Sequence, residues 1–460
     1  MNRVISNQHI GVIGSRVGET VNSATFVIYL YFIVDFFIRF SSRFPWYGKI
    51  RPTLLAVGII SVLLFLQREK FKGRFKDPVF KSVLVLLGYI VVSLPLVEWP
   101  GSVFRNNLDP FVKAIVFLFF TALIIDTERR LKWFLIVFVS CQVFRVLEPL
   151  YMNITQDYWG SATFLSTREF ANRLSGAPAD VINPNELGFV IATIVPFLHY
   201  LLWPLGWKFK ALYLALMPAL LYALILTMSR GGFIALLVVA FIVFKESSKK
   251  FSLCILAVFV VVAGISVMTP VQKDRYLSLI DRDAEGGASA EGRIQGMIGE
   301  FKLGLTRPVV GHGLGTTQEA KFHKRGSTQA SHNLYAELII ELGLIGFVLF
   351  LRFLIKIAKK LSRVREDFKN RNYSNQDFYY RLNKVLIAVF WMYAVYSINY
   401  WGLSQYYWYL FGGLVIAFGR LLDIDKSSNE PMVADNSANK VLSNRYALAS
   451  RLRDWQAFRK

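Results

Sequence analysis

About twelve apolar stretches recur along this chain, each close to the roughly 20 residues that an α-helix needs to cross about 30 Å of hydrocarbon. They fall at residues 22–41, 52–67, 79–97, 109–126, 132–147, 187–206, 209–228, 231–245, 251–269, 333–357, 385–403 and 406–422. That pattern predicts an all-α, polytopic integral membrane protein, because a helix satisfies its own backbone hydrogen bonds in lipid. Composition agrees: 54% of the 460 residues are hydrophobic and 15% aromatic, with a mean hydropathy of +0.41, too evenly apolar for an ordinary soluble domain. The first 20 residues lack a basic start leading into an apolar core and a small-residue cleavage site, so the first span reads as an uncleaved anchor. Cys141 and Cys254 both lie inside spans and read as small core residues, which indicates no disulfide framework and no cysteine metal site.

A net charge of +22 would suggest nucleic acid in a soluble protein, but here its distribution decides against it. Basic clusters at Arg68 to Lys76, Arg129 to Lys132, Lys208 with Lys210, Lys245 to Lys250 and Lys356 to Lys384 follow every second span. The positive-inside rule then puts both termini in the cytoplasm, with Arg43, Lys49 and Arg51 in the first external connection as an exception. The basic excess reads as orientation and attraction to anionic membrane lipids. The expected organisation is a cytoplasmic N-terminus (1–21), spans one to nine (22–269) with an external connection at 148–186, and a large external loop (270–332). Spans ten to twelve (333–422) with a charged cytoplasmic connection at 358–384, and a basic tail (423–460), complete it. The tail opens on a polar, linker-like stretch, and its Leu442, Tyr446, Ala449 and Leu452 have the spacing of an interfacial helix.

This topology sorts the polar residues by side, and three from distant parts of the sequence reach the external face. Ser331 to Gly346, SHNLYAELIIELGLIG, opens span ten with His332 and Asn333. A helix N-terminus disfavours an imidazolium, so His332 reads as a neutral ring able to take a proton, or as an interfacial cap. Ser331 is the N-cap candidate, Glu337 and Glu341 are candidate packing partners, and Gly343 with Gly346 would let another backbone pack close. Arg230, in Ser229-Arg230-Gly231-Gly232 between spans seven and eight, must find an anion, a carbonyl or water. The two glycines would let a phosphate approach the amides that open span eight, although from physics alone a snorkelling arginine marking the interface is the simpler account of Arg230. Arg293, in EGRIQGMIGEFKLG, is either a third site cation or a solvated one.

Other constellations are weaker. Asp281, Asp283 and Glu285 could hold a divalent metal with a nucleotide sugar, but they sit among arginines and glycines. Gly311 to Gly315, GHGLG, lacks the strand and the lysine-serine of a nucleotide-binding loop and reads as a turn. Asp35, inside span one, either pairs internally or lines a cavity.

The run SHNLYAELIIELGLIG closely resembles the hallmark of the bacterial O-antigen ligase and O-antigen polymerase superfamily: His332-Asn333, nine residues, then Gly343 and Gly346. MSRGGFIALLVV around Arg230, the Arg293 segment with PVVGHGLGT downstream, and RLSGAPADVINPNELGFVIATIVPF from Arg173 extend the resemblance over roughly residues 170–420. It implies transfer of a glycan from an undecaprenyl-diphosphate carrier to an acceptor hydroxyl on the periplasmic face of the bacterial inner membrane. The acceptor would be lipid A core or another glycan acceptor. The fold would be similar to C-type glycosyltransferases, with no metal or nucleotide cofactor. Carried over by position, Arg230 and Arg293 would bind the diphosphate, His332 would activate the acceptor, and Arg173 and Asn333 would be further substrate-binding positions.

Elementary chemistry suits those roles. Diphosphate leaves only when its developing charge is met, and guanidiniums are permanently charged bidentate donors. A sugar hydroxyl is a poor nucleophile that a positioned base improves, and direct attack on the anomeric carbon inverts it. A polymerase joining lipid-linked repeats shares the donor and differs in the acceptor. A lipid-linked oligosaccharide transporter would need charged groups along a path, whereas the candidates here gather on one face.

Overall fold

The computed structural model describes residues 20–166, 169–277, 287–326, 328, 331–370, 377–400 and 402–429. In chain order the helices begin with α1 (Ser23–Ile38), α2 (Phe40–Arg43), α3 (Pro45–Lys49), α4 (Pro52–Leu66), α5 (Pro78–Ser93) and α6 (Pro100–Ser102). Next come α7 (Leu108–Ile124), α8 (Glu128–Gln156), α9 (Pro184–Phe197), α10 (Trp207–Thr227), α11 (Arg230–Glu246) and α12 (Lys250–Val267). The last six are α13 (Pro270–Leu277), α14 (Gly287–Gly304), α15 (Thr317–Arg325), α16 (Leu334–Asn370), α17 (Phe378–Tyr396) and α18 (Tyr406–Asn429). Every apolar stretch read from the sequence overlaps one of the longer helices. Among the described residues eight helices are long and apolar enough to cross a membrane, and α1 and α4 are shorter apolar helices. The protein is a multi-pass membrane protein built almost wholly of helix.

Two compact units are distinguished, Met1–Gly419 and Arg420–Lys460. The tail positions Leu442, Tyr446, Ala449 and Leu452 lie outside the described residues, as do Asp281, Asp283 and Glu285.

The helices overrun the apolar stretches where charge permits helix without requiring lipid. α8 continues to Gln156 and α16 to Asn370, so the connections at 148–186 and 358–384 are partly helical. The former also holds an antiparallel hairpin, β1 (Gly160–Ser166) with β2 (Glu169–Leu174), in which Arg173 faces Ser161 across the ladder. Leu174 ties this hairpin down, because it is buried against Leu187, Val190 and Ile191 of α9 and Val146 of α8.

Several polar residues resolve at this level. Asp35 is paired internally, accepting from the Tyr47 and Thr53 hydroxyls. Arg43, one of the basic residues at odds with the positive-inside pattern, forks onto both oxygens of Glu148 and lies 5.4 Å from the centre of the Phe144 ring. Its charge is therefore met by the protein. Cys141 is buried as expected, but Cys254 is exposed, because no residue of α12 is buried. A helix that is apolar all round can face lipid without a protein neighbour on most sides.

α9 packs against α8, α10, α11 and α17, and so organises the C-terminal half. Its start is specified locally: Pro184 occupies the first turn, and Asn183 with Glu186 forms a reciprocal capping box. Lipid supplies no hydrophobic drive for helix pairing, so close approach through small residues decides the crossing. A β-carbon on Gly232 of α11 would stand 2.8 Å from the Gly188 α-carbon of α9.

Candidate functional site

Arg230 opens α11 directly after a sharp turn. Ser229 is the N-cap, accepting the Gly232 amide at 3.1 Å and donating its hydroxyl to Asn185 Oδ1 at 3.2 Å. Met228, at φ +50°, makes the left-handed reversal that ends α10. Arg230 itself is buried, at 5% exposure. The sequence expectation for its two glycines needs correcting. Gly232 is taken up by the α9 crossing, and a β-carbon on Gly231 would stand 3.3 Å from the Tyr396 ring. Both glycines are thus used for close packing.

Arg173 reaches the same turn from the hairpin. It donates from Nε to the Thr227 carbonyl at 2.8 Å and from Nη2 to Asn185 Oδ1 at 3.0 Å. Arg275, in α13, donates from Nε to the next carbonyl, Met228, at 3.1 Å. Its neighbour Tyr276 donates to the Leu224 carbonyl at 3.0 Å. Burial raises the Tyr276 phenol above its ordinary value, and the charges of Arg173 and Arg275 both pull it back down. Nothing in the sequence pattern singles out Arg275 or Asn185, since the fold alone brings the Met228 carbonyl to the one and Arg173 and Ser229 to the other.

The start of α16 is built by three other elements. Asn333, not Ser331, supplies the cap: its Oδ1 accepts the Tyr335 and Ala336 amides at 2.8 and 3.0 Å. Ser331 instead accepts the Asn333 amide and donates to Glu300 of α14, which also accepts Lys321 of α15 at 2.8 Å. The Asn333 side-chain Nδ2 lies 2.7 Å from Met297 Sδ in α14. His332 stands between two buried residues and is exposed. Arg293 lies on α14, four residues before Met297.

The connection after α17 links the two halves. The Tyr396 hydroxyl donates to the Asn185 carbonyl at 2.7 Å, and Tyr400 donates to Glu186 at 3.1 Å. The Leu334 amide in turn sits 2.9 Å from the Ser397 carbonyl and 3.0 Å from that of Tyr400. One short segment thus touches the first turns of α9, α11 and α16.

α16 is not continuous. Gly343 adopts φ +65° and ψ −172°, which breaks the helical run. The loop at 308–317 fills the break: His312 and Gly313 amides donate to the Ile340 and Glu341 carbonyls at 2.8 and 3.0 Å, and Leu344 donates to Pro308 at 2.6 Å. A backbone does pack close to Gly343, as its sequence implied, because an added β-carbon would meet the Val309 carbonyl oxygen at 2.3 Å. The glycine loop cradles a carboxylate of its own chain. Glu341 accepts from the Gly315 amide and the Thr317 hydroxyl, both at 2.7 Å. Glu337, one turn earlier, accepts the Gly402 and Leu403 amides at 2.8 and 3.2 Å. These two glutamates anchor loops on either side of the His332 end. Burial pulls the His312 imidazole below its ordinary value, against the opposing pull of the Ile340 carbonyl and Glu98.

Among the described residues no three His, Cys, Asp or Glu side chains are grouped to hold a metal ion. What the described residues offer is a buried guanidinium at the start of α11 and an exposed imidazole just before α16.

Residues 214–351 match the family model for O-Antigen ligase. The match runs from α10 into α16 and includes Arg230, Arg293, His332, Gly343 and Gly346, while Arg173 lies outside it. It supports the resemblance to the O-antigen ligase superfamily, whose members are glycosyltransferase-like enzymes with a lipid-linked glycan and an acceptor as partners. Ligase-like glycan transfer is the activity this supports. A search of curated proteins finds no match to the chain.

Proposed function

We propose that this protein transfers a glycan from an undecaprenyl-diphosphate-linked donor to an acceptor hydroxyl at the periplasmic face of the bacterial inner membrane. His332 takes the proton of the acceptor hydroxyl as its oxygen attacks the anomeric carbon. The bond from that carbon to the diphosphate breaks, and undecaprenyl diphosphate leaves with the electron pair. Attack opposite the leaving group inverts the anomeric centre. Arg230 and Arg293 meet the charge that develops on the diphosphate, the kind of preorganised stabilisation that usually dominates catalysis.

The observation that carries this reading is the division of labour at the start of α16. Asn333 caps the helix, and His332, inside the O-Antigen ligase match, is exposed beside it. The test is transfer by purified protein given lipid-linked glycan and acceptor. His332→Ala is expected to lower turnover by about 10²–10⁴-fold while leaving donor affinity near wild type. Wild-type turnover in that variant removes His332 as the base.

A further inference from the structure

The exposed side chain of His332 is carried by a single turn of backbone, and the side chain that closes that turn is held from beneath. The Ser331 hydroxyl oxygen accepts the Asn333 amide, two residues on, at 3.1 Å, so that His332 is the middle residue of the turn. Ser331 has one hydroxyl proton and two acceptors in reach, Glu300 Oε2 at 2.8 Å and the Asn333 carbonyl at 3.1 Å. The charged acceptor at the shorter distance takes it. The other oxygen of Glu300, Oε1, accepts the Lys321 ammonium of α15 at 2.8 Å. All three side chains are buried, with Ser331 3%, Glu300 4% and Lys321 7% exposed.

An ion pair taken out of water stabilises a fold no better than a well-packed apolar pair, so its presence beneath this turn calls for another use. Direction is the use the geometry offers. With one carboxylate oxygen fixed by Lys321, the other has a set position from which to meet the Ser331 hydroxyl. The support behind it is firm, because Leu303 of α14, Ala320 of α15 and Ile340 of α16 form one buried cluster. A β-carbon on Gly304, one helical turn after Glu300, would stand 2.8 Å from Ile339 Cγ2 and 3.1 Å from the Ile340 amide nitrogen. α14 therefore meets α16 at backbone range, and its carboxylate reaches the turn from a fixed distance.

We infer that Glu300, itself oriented by Lys321, is a positioning residue for His332. Through the Ser331 hydroxyl it holds the turn that aims the imidazole at the acceptor. This rests on the reading of His332 as the base given above.

Transfer by purified full-length protein in nanodiscs, given lipid-linked glycan and acceptor, supplies the test, run at a temperature where melting curves show each variant folded. Ser331→Ala removes the link and leaves Glu300 paired with Lys321. It is expected to lower kcat about ten- to hundredfold with the KM for the donor near wild type, because a misplaced base slows the chemical step without weakening donor binding. Ser331→Thr keeps the hydroxyl and should recover most of the rate. Glu300→Gln should lose a similar factor, and the double variant with Ser331→Ala should be no slower than the slower single, as for two groups acting through one contact. If His332→Ala is inactive while Ser331→Ala and Glu300→Gln keep wild-type kcat, the positioning role is overturned and the histidine base stands. A lower melting temperature with unchanged kcat makes the pair a brace for the fold and overturns it as well. Wild-type turnover in His332→Ala removes the base itself, and the positioning role with it. Should Glu300→Gln fail to fold, the Ser331 variants decide: loss in Ser331→Ala with recovery in Ser331→Thr supports the role, and wild-type kcat in both removes it.

Discussion

Gly343 shows how much a single residue decides here. Its φ of +65° belongs to backbone that side chains rarely adopt, and the space where a β-carbon would stand is held by the Val309 carbonyl. Gly343→Ala is therefore expected to destabilise the fold by about 2–4 kcal/mol, from backbone strain and overpacking together. Thermal melting of the solubilised variant measures this, and a melting temperature equal to wild type would mean that the break in α16 is dispensable. At this scale the sequence was partly legible. His332, Arg230 and Gly343 stand out because an imidazole, a guanidinium or a glycine pair is conspicuous in an apolar run. Arg275 does not stand out, because it bonds a main-chain carbonyl that any residue at position 228 would offer.

At the scale of elements, the loop at 308–317 and the broken α16 form one hydrogen-bonded unit, with His312 at its centre. The His312 ring is stacked on Trp99 at 5.5 Å, and its Nδ1 lies 3.0 Å from the Ile340 carbonyl. Burial lowers the folded-state value below the ordinary 6.5, so the unfolded chain binds the proton more readily. The stabilisation is then fully present above about pH 6.5 and is lost as pH falls toward the lower folded value. His312→Gln should flatten the part of the stability profile below about pH 6.5, read as melting temperature against pH beside wild type. Identical profiles would exclude His312 as a titrating contributor.

The apolar stretches gave away the helices, because about 20 residues of hydrocarbon length leave little alternative. Their ends were hidden where α8 and α16 run on into charged sequence, since helix propensity persists there without apolar character. The hairpin at 160–174 was invisible as well. Its register is held by Leu174 packing on distant helices, a contact that local alternation does not encode.

For the whole molecule, α12 is the outlier. None of its residues is buried, whereas α9 is buried along most of its length. An apolar helix in that state belongs in hydrocarbon, which places Cys254 against lipid and Cys141 inside the protein. Spin labels at each cysteine in turn, in nanodiscs, should show Cys254 readily relaxed by lipid-soluble oxygen and Cys141 protected. Equal protection at both would mean that α12 is covered by another protein surface. The same contrast divides the chain's freedom to drift over evolutionary time. Along α12, one apolar residue can replace another without disturbing a neighbour. Gly311 and Gly343 have no such latitude, because a β-carbon on Gly311 would stand 2.6 Å from the Gly343 amide nitrogen and one on Gly343 would stand 2.3 Å from the Val309 carbonyl oxygen.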